Sequence, residues 1–243
     1  MKITSAIISN TPPKERLLKS LGFAQEILVV RDGKEAKSSQ KGKLKTYFHP
    51  LDNNFSAQRN FALSKAKGDW VFFVDNDEIV SQELSREIIS RIDQEKLSAY
   101  YIPRKDICYH QVIKHGEAGH IKIIRLAKRK TGKFIRPVHE TWKIKGRVGE
   151  ISSSLYHAKD HFVSEFIARM ARYSQLDAPI LTRENKPYSP FRLFINPLSK
   201  FILNYFFKLG FLDGYPGLFL SYLMSVQSLT VRVFQWTNKN SSR

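Results

Sequence analysis

Only one cysteine, Cys108, occurs in 243 residues. That scarcity excludes an intrachain disulfide framework and any multi-cysteine zinc site, and a reducing compartment is the simple reading. Acidic residues are also in short supply, 22 Asp and Glu against 40 Lys and Arg, which leaves a formal net charge of +18. Such an excess implies an anionic partner, but charge alone does not choose among nucleic acid, a phosphorylated substrate and a membrane surface. The N-terminal MKITSAIISN has no extended apolar core and no small-residue cleavage site, so it reads as a first strand and not as a signal peptide. Internal repeats and a clear linker are missing too. The length suits one large domain, or one domain with an appendage. With 42% hydrophobic and 26% charged residues, the chain is neither a disordered polyelectrolyte nor a coiled coil.

What is present is an alternation of short apolar runs and helical patterns over the first eighty residues. Residues 3–8 form a β-branched strand, and 13–21 a helix closed by Gly22 in a left-handed cap. A second strand at 27–30 precedes a polar stretch, 32–45, with an expected mobile tip, and a short strand follows at 46–48. Ser56 is the expected cap of a helix through Lys65 ended by Gly68, with Phe55 just before the cap. The run 70–74 is apolar throughout, as in a strand buried between two layers. Ser81 starts a helix with Leu84, Ile88 and Ile92 on one face. Strands alternating with helices point to an α/β fold with a parallel sheet and right-handed crossovers.

Residues 101–150 hold 13 Lys and Arg against four acids, a balance of +9, with strands at 99–102 and 121–126. A helix is expected from Val163 to about Leu181. From Tyr188 onward the chain is aromatic and basic, and residues 214–231 carry no formal charge. A spanning helix needs roughly 20 predominantly apolar residues, and this stretch includes Gly, Pro, Gln, Thr and three Ser. The expectation is therefore two or three amphipathic helices lying in a headgroup region, with Lys200, Lys208 and Arg232 facing lipid phosphates. The plain alternative is a helical subdomain packed on the sheet. The domain boundary falls between 1–182 and an amphipathic helical tail, 183–243.

The sharpest feature is Val71-Phe72-Phe73-Val74-Asp75-Asn76-Asp77-Glu78, where a buried run emerges directly into three carboxylates. Ligands of open α/β sheets bind at the carboxyl ends of strands. Two carboxylates about 4 Å apart repel by roughly 1 kcal/mol in water and roughly 4 at an effective dielectric of 20. A divalent cation removes that penalty, and hard cations such as Mg²⁺ share oxygen ligands with substrate phosphates. The Asp-x-Asp spacing lets one acid reach a metal while the other orients a bound sugar or ribose. A bare Asp-x-Asp is more often a solvated turn, and its place at the mouth of a buried strand favours a site.

Several ordered segments resemble glycosyltransferase family 2, in particular the short enzymes similar to the lipopolysaccharide-core β-1,4-glucosyltransferase. They are Glu26 to Val30, Phe55 to Leu63, Asp69-Trp70 through Asp75-Asn76-Asp77-Glu78, Arg125-Leu126, Val138-His139-Glu140, Leu155-Tyr156-His157 and Gly210 to Gly214. The resemblance implies a GT-A, Rossmann-like fold with a mixed, mostly parallel sheet flanked by helices. It also implies a nucleotide-diphospho-sugar donor, a divalent metal (Mn²⁺ or Mg²⁺) and inversion at the anomeric carbon. On position in the motifs, Asp77 is the metal ligand and Asp75 the donor-orienting acid. Arg59 resembles the family's cation near the nucleotide, its alternative being a surface helix arginine. Glu140 is the candidate general base or, failing that, a structural salt bridge. His157 is a late metal or diphosphate contact or a plain hydrogen-bonding residue. His139 reads as structural, and Trp142 as a sugar platform or core.

Two segments depart from the pattern. Ser9-Asn10-Thr11-Pro12-Pro13 stands where the family generally carries Asn-Glu, and Arg31-Asp32-Gly33-Lys34 where it has an Asp followed by Ser/Asp-Gly-Ser. If Asp32 contacts the base or ribose, Arg31 occupies the place of the first acid. The expected activity is transfer of a sugar to a lipid-linked or anionic envelope glycan by a cytoplasmic enzyme, peripheral on the inner face of the membrane, with no nucleic-acid partner. Two rival readings are a catalytically silent, membrane-associated family member and a basic nucleic-acid-binding protein, the second of which leaves the three acids unexplained.

Overall fold

The computed structural model describes residues 1–33, 38–93, 96–137, 140–159 and 161–241. Chain contacts divide it into two compact units, Met1–Arg104 with Lys122–Ala158, and Lys105–Ile121 with Lys159–Arg243. His139 and the tip of the 32–45 stretch, 34–37, lie outside the described residues.

In chain order the elements are β1 (Ile3–Ile8), α1 (Glu15–Ser20), β2 (Glu26–Arg31), β3 (Ser39–Lys41), β4 (Leu44–Phe48), α2 (Phe55–Lys65), β5 (Trp70–Asp75) and β6 (Glu78–Ile79). There follow α3 (Gln82–Ile92), β7 (Ala99–Cys108), β8 (Gln111–Val112), α4 (Gly116–Gly119) and β9 (Ile121–Lys128). Next come β10 (Gly132–Ile135), β11 (Thr141–Ile144), β12 (Val148–Glu150) and β13 (Leu155–Lys159). The chain ends with α5 (Phe162–Arg183), α6 (Pro190–Ile202), a π turn at Leu203–Phe207, a 3₁₀ turn at Gly210–Asp213 and α7 (Gly214–Ser241).

The first unit is built on a sheet of order β3-β4-β2-β1-β5-β9-β7-β13-β6, with β12 beside β7. β1 runs parallel to both β2 and β5, so Ala6 sits opposite Leu28 and Phe73. The parallel set stops at β9, which pairs antiparallel to β5 through Phe72 and Leu126. The sheet is therefore mixed, and β5 has a parallel neighbour on one side and an antiparallel one on the other. Side chains alternate across it. Ile3, Ile7, Val29, Phe72 and Val74 pack with Leu84, Ile88 and Ile92 of α3, while Ala6, Leu28, Val71 and Phe73 pack with Ala62 and Leu63 of α2. A strand covered on both faces needs continuous apolar sequence, which explains Trp-Val-Phe-Phe-Val in β5.

Local signals held in part. Ser81 Oγ accepts the Leu84 N–H at 3.1 Å and caps α3 as read. The cap of α2 is Asn54 and not Ser56: Asn54 Oδ1 accepts the Ala57 N–H at 3.0 Å and the Ser56 hydroxyl at 2.8 Å, so Phe55 falls inside the helix. Gly68 does not end that helix, which stops at Lys65; a Cβ at Gly68 would meet Thr4 N at 2.6 Å, so close approach of β1 explains the glycine. Gly22 is not in the left-handed region, and α1 covers only Glu15–Ser20.

The second unit is mostly helical. Cys108, Ile113, Phe162 and Leu220 form its core, and α7 packs on α5 and α6. Buried Gln235 donates to Lys186 O at 2.9 Å and Thr182 Oγ1 at 3.2 Å, a polar grip between α7 and the end of α5. The Gly210–Gly214 motif works through Asp213, whose buried carboxylate accepts the His115 N–H at 2.8 Å and the Lys114 N–H at 3.1 Å, with His115 Nδ1 2.9 Å away. Lys200 and Lys208 both reach Glu117, and Arg232 donates to Gln235 Oε1. Those three cations therefore have protein partners within the unit, where the sequence pattern expects lipid phosphates. Phe191, Phe194, Phe207 and Tyr215 are exposed, and no residue of α6 is buried. The segment Gly210–Ser241 is long and apolar enough to cross a membrane, by length and composition only.

Candidate active site

β5 delivers Asp75 to the carboxyl end of the parallel strands, and the chain turns at once through Asn76 and Asp77 into β6. Asn76 pins this turn to the segment after β1: its Oδ1 accepts the Lys14 N–H at 2.9 Å and its Nδ2 donates to Thr11 Oγ1 at 3.1 Å. The middle residue of Asp-x-Asp is thus a brace.

Two arginines close on Asp75. Arg59 Nη2 donates to its Oδ1 at 3.2 Å, and Arg125 on β9 donates to both carboxylate oxygens, at 3.3 Å to Oδ1. Arg125 Nη2 also donates to Glu78 Oε1 at 2.9 Å, while Glu78 Oε2 accepts the Asp75 N–H at 2.7 Å. Burial would raise both acids. For Asp75 the charges of Arg125 and Arg59 win and hold it well below the usual carboxylate range. Glu78, buried and facing the charge of Asp75, is pushed up to about 7 in spite of Arg125.

Arg59 is 8% exposed, which sets aside the surface-helix reading. Its Nε donates to Glu140 Oε1 at 2.6 Å, and its guanidinium lies 5.4 Å from the Phe73 ring and 5.6 Å from Phe134. Glu140 is thus in an ion pair, and that pair opens onto a cavity. The cavity holds about 460 Å³ and is lined by Arg59, Asp75, Arg125 and Glu140, with Arg104 and Trp142 among the other walls. Trp142 is 3% exposed, stacks on Phe134 at 4.7 Å and meets Phe73 edge-on at 5.2 Å, a core position at the cavity's edge.

Asp77 stands apart from that cluster. His157 Nε2 lies 2.8 Å from Asp77 Oδ2, and His157 is placed there by the antiparallel pairing of β13 with β6. Burial would raise Asp77, but the His157 bond and charge lower it. Among the described residues no three His, Cys, Asp or Glu groups converge as a ready metal cage. One carboxylate and one imidazole do suit a divalent ion that takes its remaining ligands from phosphate and water.

Asp32 is not in the cavity either. Its Oδ1 accepts the Leu51 N–H at 2.8 Å, and Arg31 Nη2 donates to Asn10 O at 3.1 Å with its guanidinium over Phe48. The structure therefore joins Arg59, Asp75 and Glu140, pairs Asp77 with His157, and leaves Asp32 at the ends of β2 and β4. Sequence reasoning missed Arg125 as a site residue. The available signal was a charged residue inside the apolar pattern of β9, since a buried arginine requires acids to pair with.

Residues 15–152, more than half of the chain, match glycosyl transferase family 2. A Rickettsia typhi protein named "Uncharacterized glycosyltransferase RT0209" is 27% identical over 177 residues, 67% of this chain and 60% of its own length. A Rickettsia bellii "Uncharacterized glycosyltransferase" is 23% identical over 235 residues, 89% of this chain and 80% of that one. The chain thus spans about 60% of the length of the first of these relatives. Among solved structures, S. aureus TarS 1-349 is similar with a TM-score of 0.50 and 16% identity, over 99% of this chain and 92% of that one, a likeness of fold alone. With its acids at the mouth of β5 and its mixed, mostly parallel GT-A-like sheet, the chain belongs to glycosyl transferase family 2.

Proposed function

We propose that this chain is an inverting glycosyltransferase that moves a sugar from a nucleotide-diphospho-sugar to a lipid-linked or cell-envelope glycan acceptor. Its ordered motifs favour the short lipopolysaccharide-core β-1,4-glucosyltransferase-like subgroup. The observation that carries the reading is the meeting of Arg59, Asp75 and Glu140 at one cavity, from α2, β5 and the segment before β11.

The chemistry divides among these residues. Glu140 takes the proton of the acceptor hydroxyl as its oxygen bonds to the anomeric carbon and the bond from that carbon to the diphosphate oxygen breaks. Arg59 fixes the orientation of Glu140 and, with Arg125, keeps Asp75 ionised, so that Asp75 can accept hydrogen bonds from donor hydroxyls. Asp77 and His157 would hold Mn²⁺ or Mg²⁺, which when bound supplies positive charge against the leaving diphosphate. Asp32 contacts the base or ribose from the end of β2.

The exposed aromatics of α6 and the following turns support residues 183–243 as a region resting on the inner face of the membrane, where lipid-linked acceptors lie. A catalytically silent binding protein is the second reading, favoured by Arg31 on Asn10 O where the family places an acid. The two part on a donor screen with Mn²⁺ or Mg²⁺, following the nucleoside diphosphate released. Release from at least one nucleotide-sugar supports the transferase; no release and no binding from any donor supports the silent reading.

A further inference from the structure

Helix α7 has two opposite faces. Pro216, Leu220, Val231 and Gln235 are buried on the side that packs on α5 and α6. On the other side the exposed residues from 215 to 236 are Tyr215, Phe219, Tyr222, Val226, Leu229, Val233 and Trp236, and every other residue of that span is buried or half-buried. An ordinary surface helix turns its charged residues to water; here the water-facing positions are all apolar or aromatic. Successive members are four and three residues apart in strict alternation. That seven-residue period keeps a stripe aimed at one partner helix over successive turns. Tyr222 meets the Phe201 ring at 4.6 Å and still stays 56% exposed.

We propose that this stripe is the contact between two copies of the chain, packed α7 against α7 as a short coiled-coil seam. The period favours a helix as the occupant, since a helix lying on lipid needs only a broad apolar face with Lys and Arg along its polar side. Charge favours a second copy. Residues 214–231 carry no formal charge in a chain of net +18, so two copies meet here without setting like charges against each other. The size also suits. With exposures from 38% at Leu229 to 76% at Tyr215, the seven residues offer roughly 700–800 Å² per copy, and a standard interface takes about 800 Å² from each partner. The hydroxyls beside the seam are already satisfied, Ser225 Oγ by Pro197 O at 2.7 Å and Thr230 Oγ1 by Val226 O at 2.8 Å, so covering them strands no donor. The pairing does not depend on the transferase reading, and it leaves the α6 aromatics to the membrane.

The test is sedimentation velocity on the full chain across a concentration series, without detergent or lipid. A dimer at micromolar or lower concentration is expected. Val226→Glu combined with Leu229→Glu should weaken it by about 100-fold or more, with the far-UV circular dichroism unchanged. Phe191→Glu combined with Phe194→Glu, on α6, should leave it as in wild type. Val226→Cys reads the same contact without adding charge: Val226 stands at the centre of the seam and faces its own copy whichever way the two helices run. Cys108 is buried, so mild oxidation should give a disulfide-linked dimer through position 226 but not in Gln227→Cys, which lies off the stripe. A wild type that is monomeric at every concentration, a dimer indifferent to the paired glutamates, or equal cross-linking at 226 and 227 overturns the proposal. A monomer whose co-flotation with anionic vesicles is lost in the Val226→Glu, Leu229→Glu variant also overturns it and gives the stripe to lipid.

Discussion

Arg59 Nε donates to Glu140 Oε1 at 2.6 Å, and the same guanidinium reaches Asp75 Oδ1 at 3.2 Å. One planar fork therefore sets the distance between an acid at the end of β5 and an acid 65 residues further along the chain. A lysine could supply the charge but not both directions. The carboxylates of Asp75 and Glu140 are thus held in register by a single side chain.

Glu140→Gln keeps the shape and the contact with Arg59 but removes the proton acceptor. Turnover is expected to fall by about 10²- to 10⁴-fold, with donor affinity and Tm nearly unchanged. Steady-state kinetics beside a thermal melt check this, and wild-type turnover would remove Glu140 as the base.

Arg125→Met leaves Asp75 and Glu78 facing one another with a single remaining cation on Asp75. Removing one partner of a buried pair costs about 3–5 kcal/mol, and urea unfolding should show a loss of that order. Adding Glu78→Gln to the variant should restore part of it, because the buried acid pushed up to about 7 is then absent. Failure of the double variant to recover any stability would contradict the pairing.

The Glu26–Lys45 pair fixes a pH window for stability. Burial would raise Glu26, but bonds from Lys45 Nζ and Thr4 Oγ1, both 2.7 Å, and from Lys67 N bring it below its ordinary 4.5. A depressed carboxyl contributes fully above its unfolded pKa and is lost as pH falls through the folded one; raised Lys45 contributes fully below its unfolded pKa and is lost as pH rises through the folded one. Stability should hold between about pH 5 and 9 on this account. Glu26→Gln should lower that plateau by about 1.5–3 kcal/mol and make the acid limb shallower, as read by denaturant melts across pH.

Phe191, Phe194 and Phe207 are exposed, so replacing all three with Glu should leave the fold and Tm intact. Binding to vesicles containing anionic phospholipid should drop, since each large apolar side chain contributes about 1.5–3 kcal/mol when fully buried. Co-flotation equal to wild type would count against the interfacial placement.

Much of the site was legible because local chemistry announced it. An apolar pentad running into Asp75, Asn76, Asp77 and Glu78 signals a buried strand meeting a pocket, and the basic stretch around Glu140 signals an acid among cations. The role of Arg125 was not legible, because its partners lie 47 and 50 residues back and come together only through the antiparallel pairing of β9 with β5. Trp142 was ambiguous for a similar reason: whether an aromatic meets core or ligand depends on Phe134 on the paired strand β10 and on Phe73 of β5. The α2 cap is Asn54 where the sequence pattern points to Ser56, because either side chain can cap and the helix starts ahead of Ser56, at Phe55. The tail's lysines pair with Glu117 from another part of the chain, which no helical pattern within the tail encodes.

The central claim is that Asp77, beside His157, holds an ion that in turn holds a donor's diphosphate. The direct measurement is titration of nucleotide-sugars into wild type and Asp77→Asn, each with and without Mn²⁺. The account predicts that at least one donor binds wild type only when Mn²⁺ is present, and that Asp77→Asn loses this dependence with its Tm preserved. Donor binding that is equally tight in both proteins and indifferent to Mn²⁺ would contradict it.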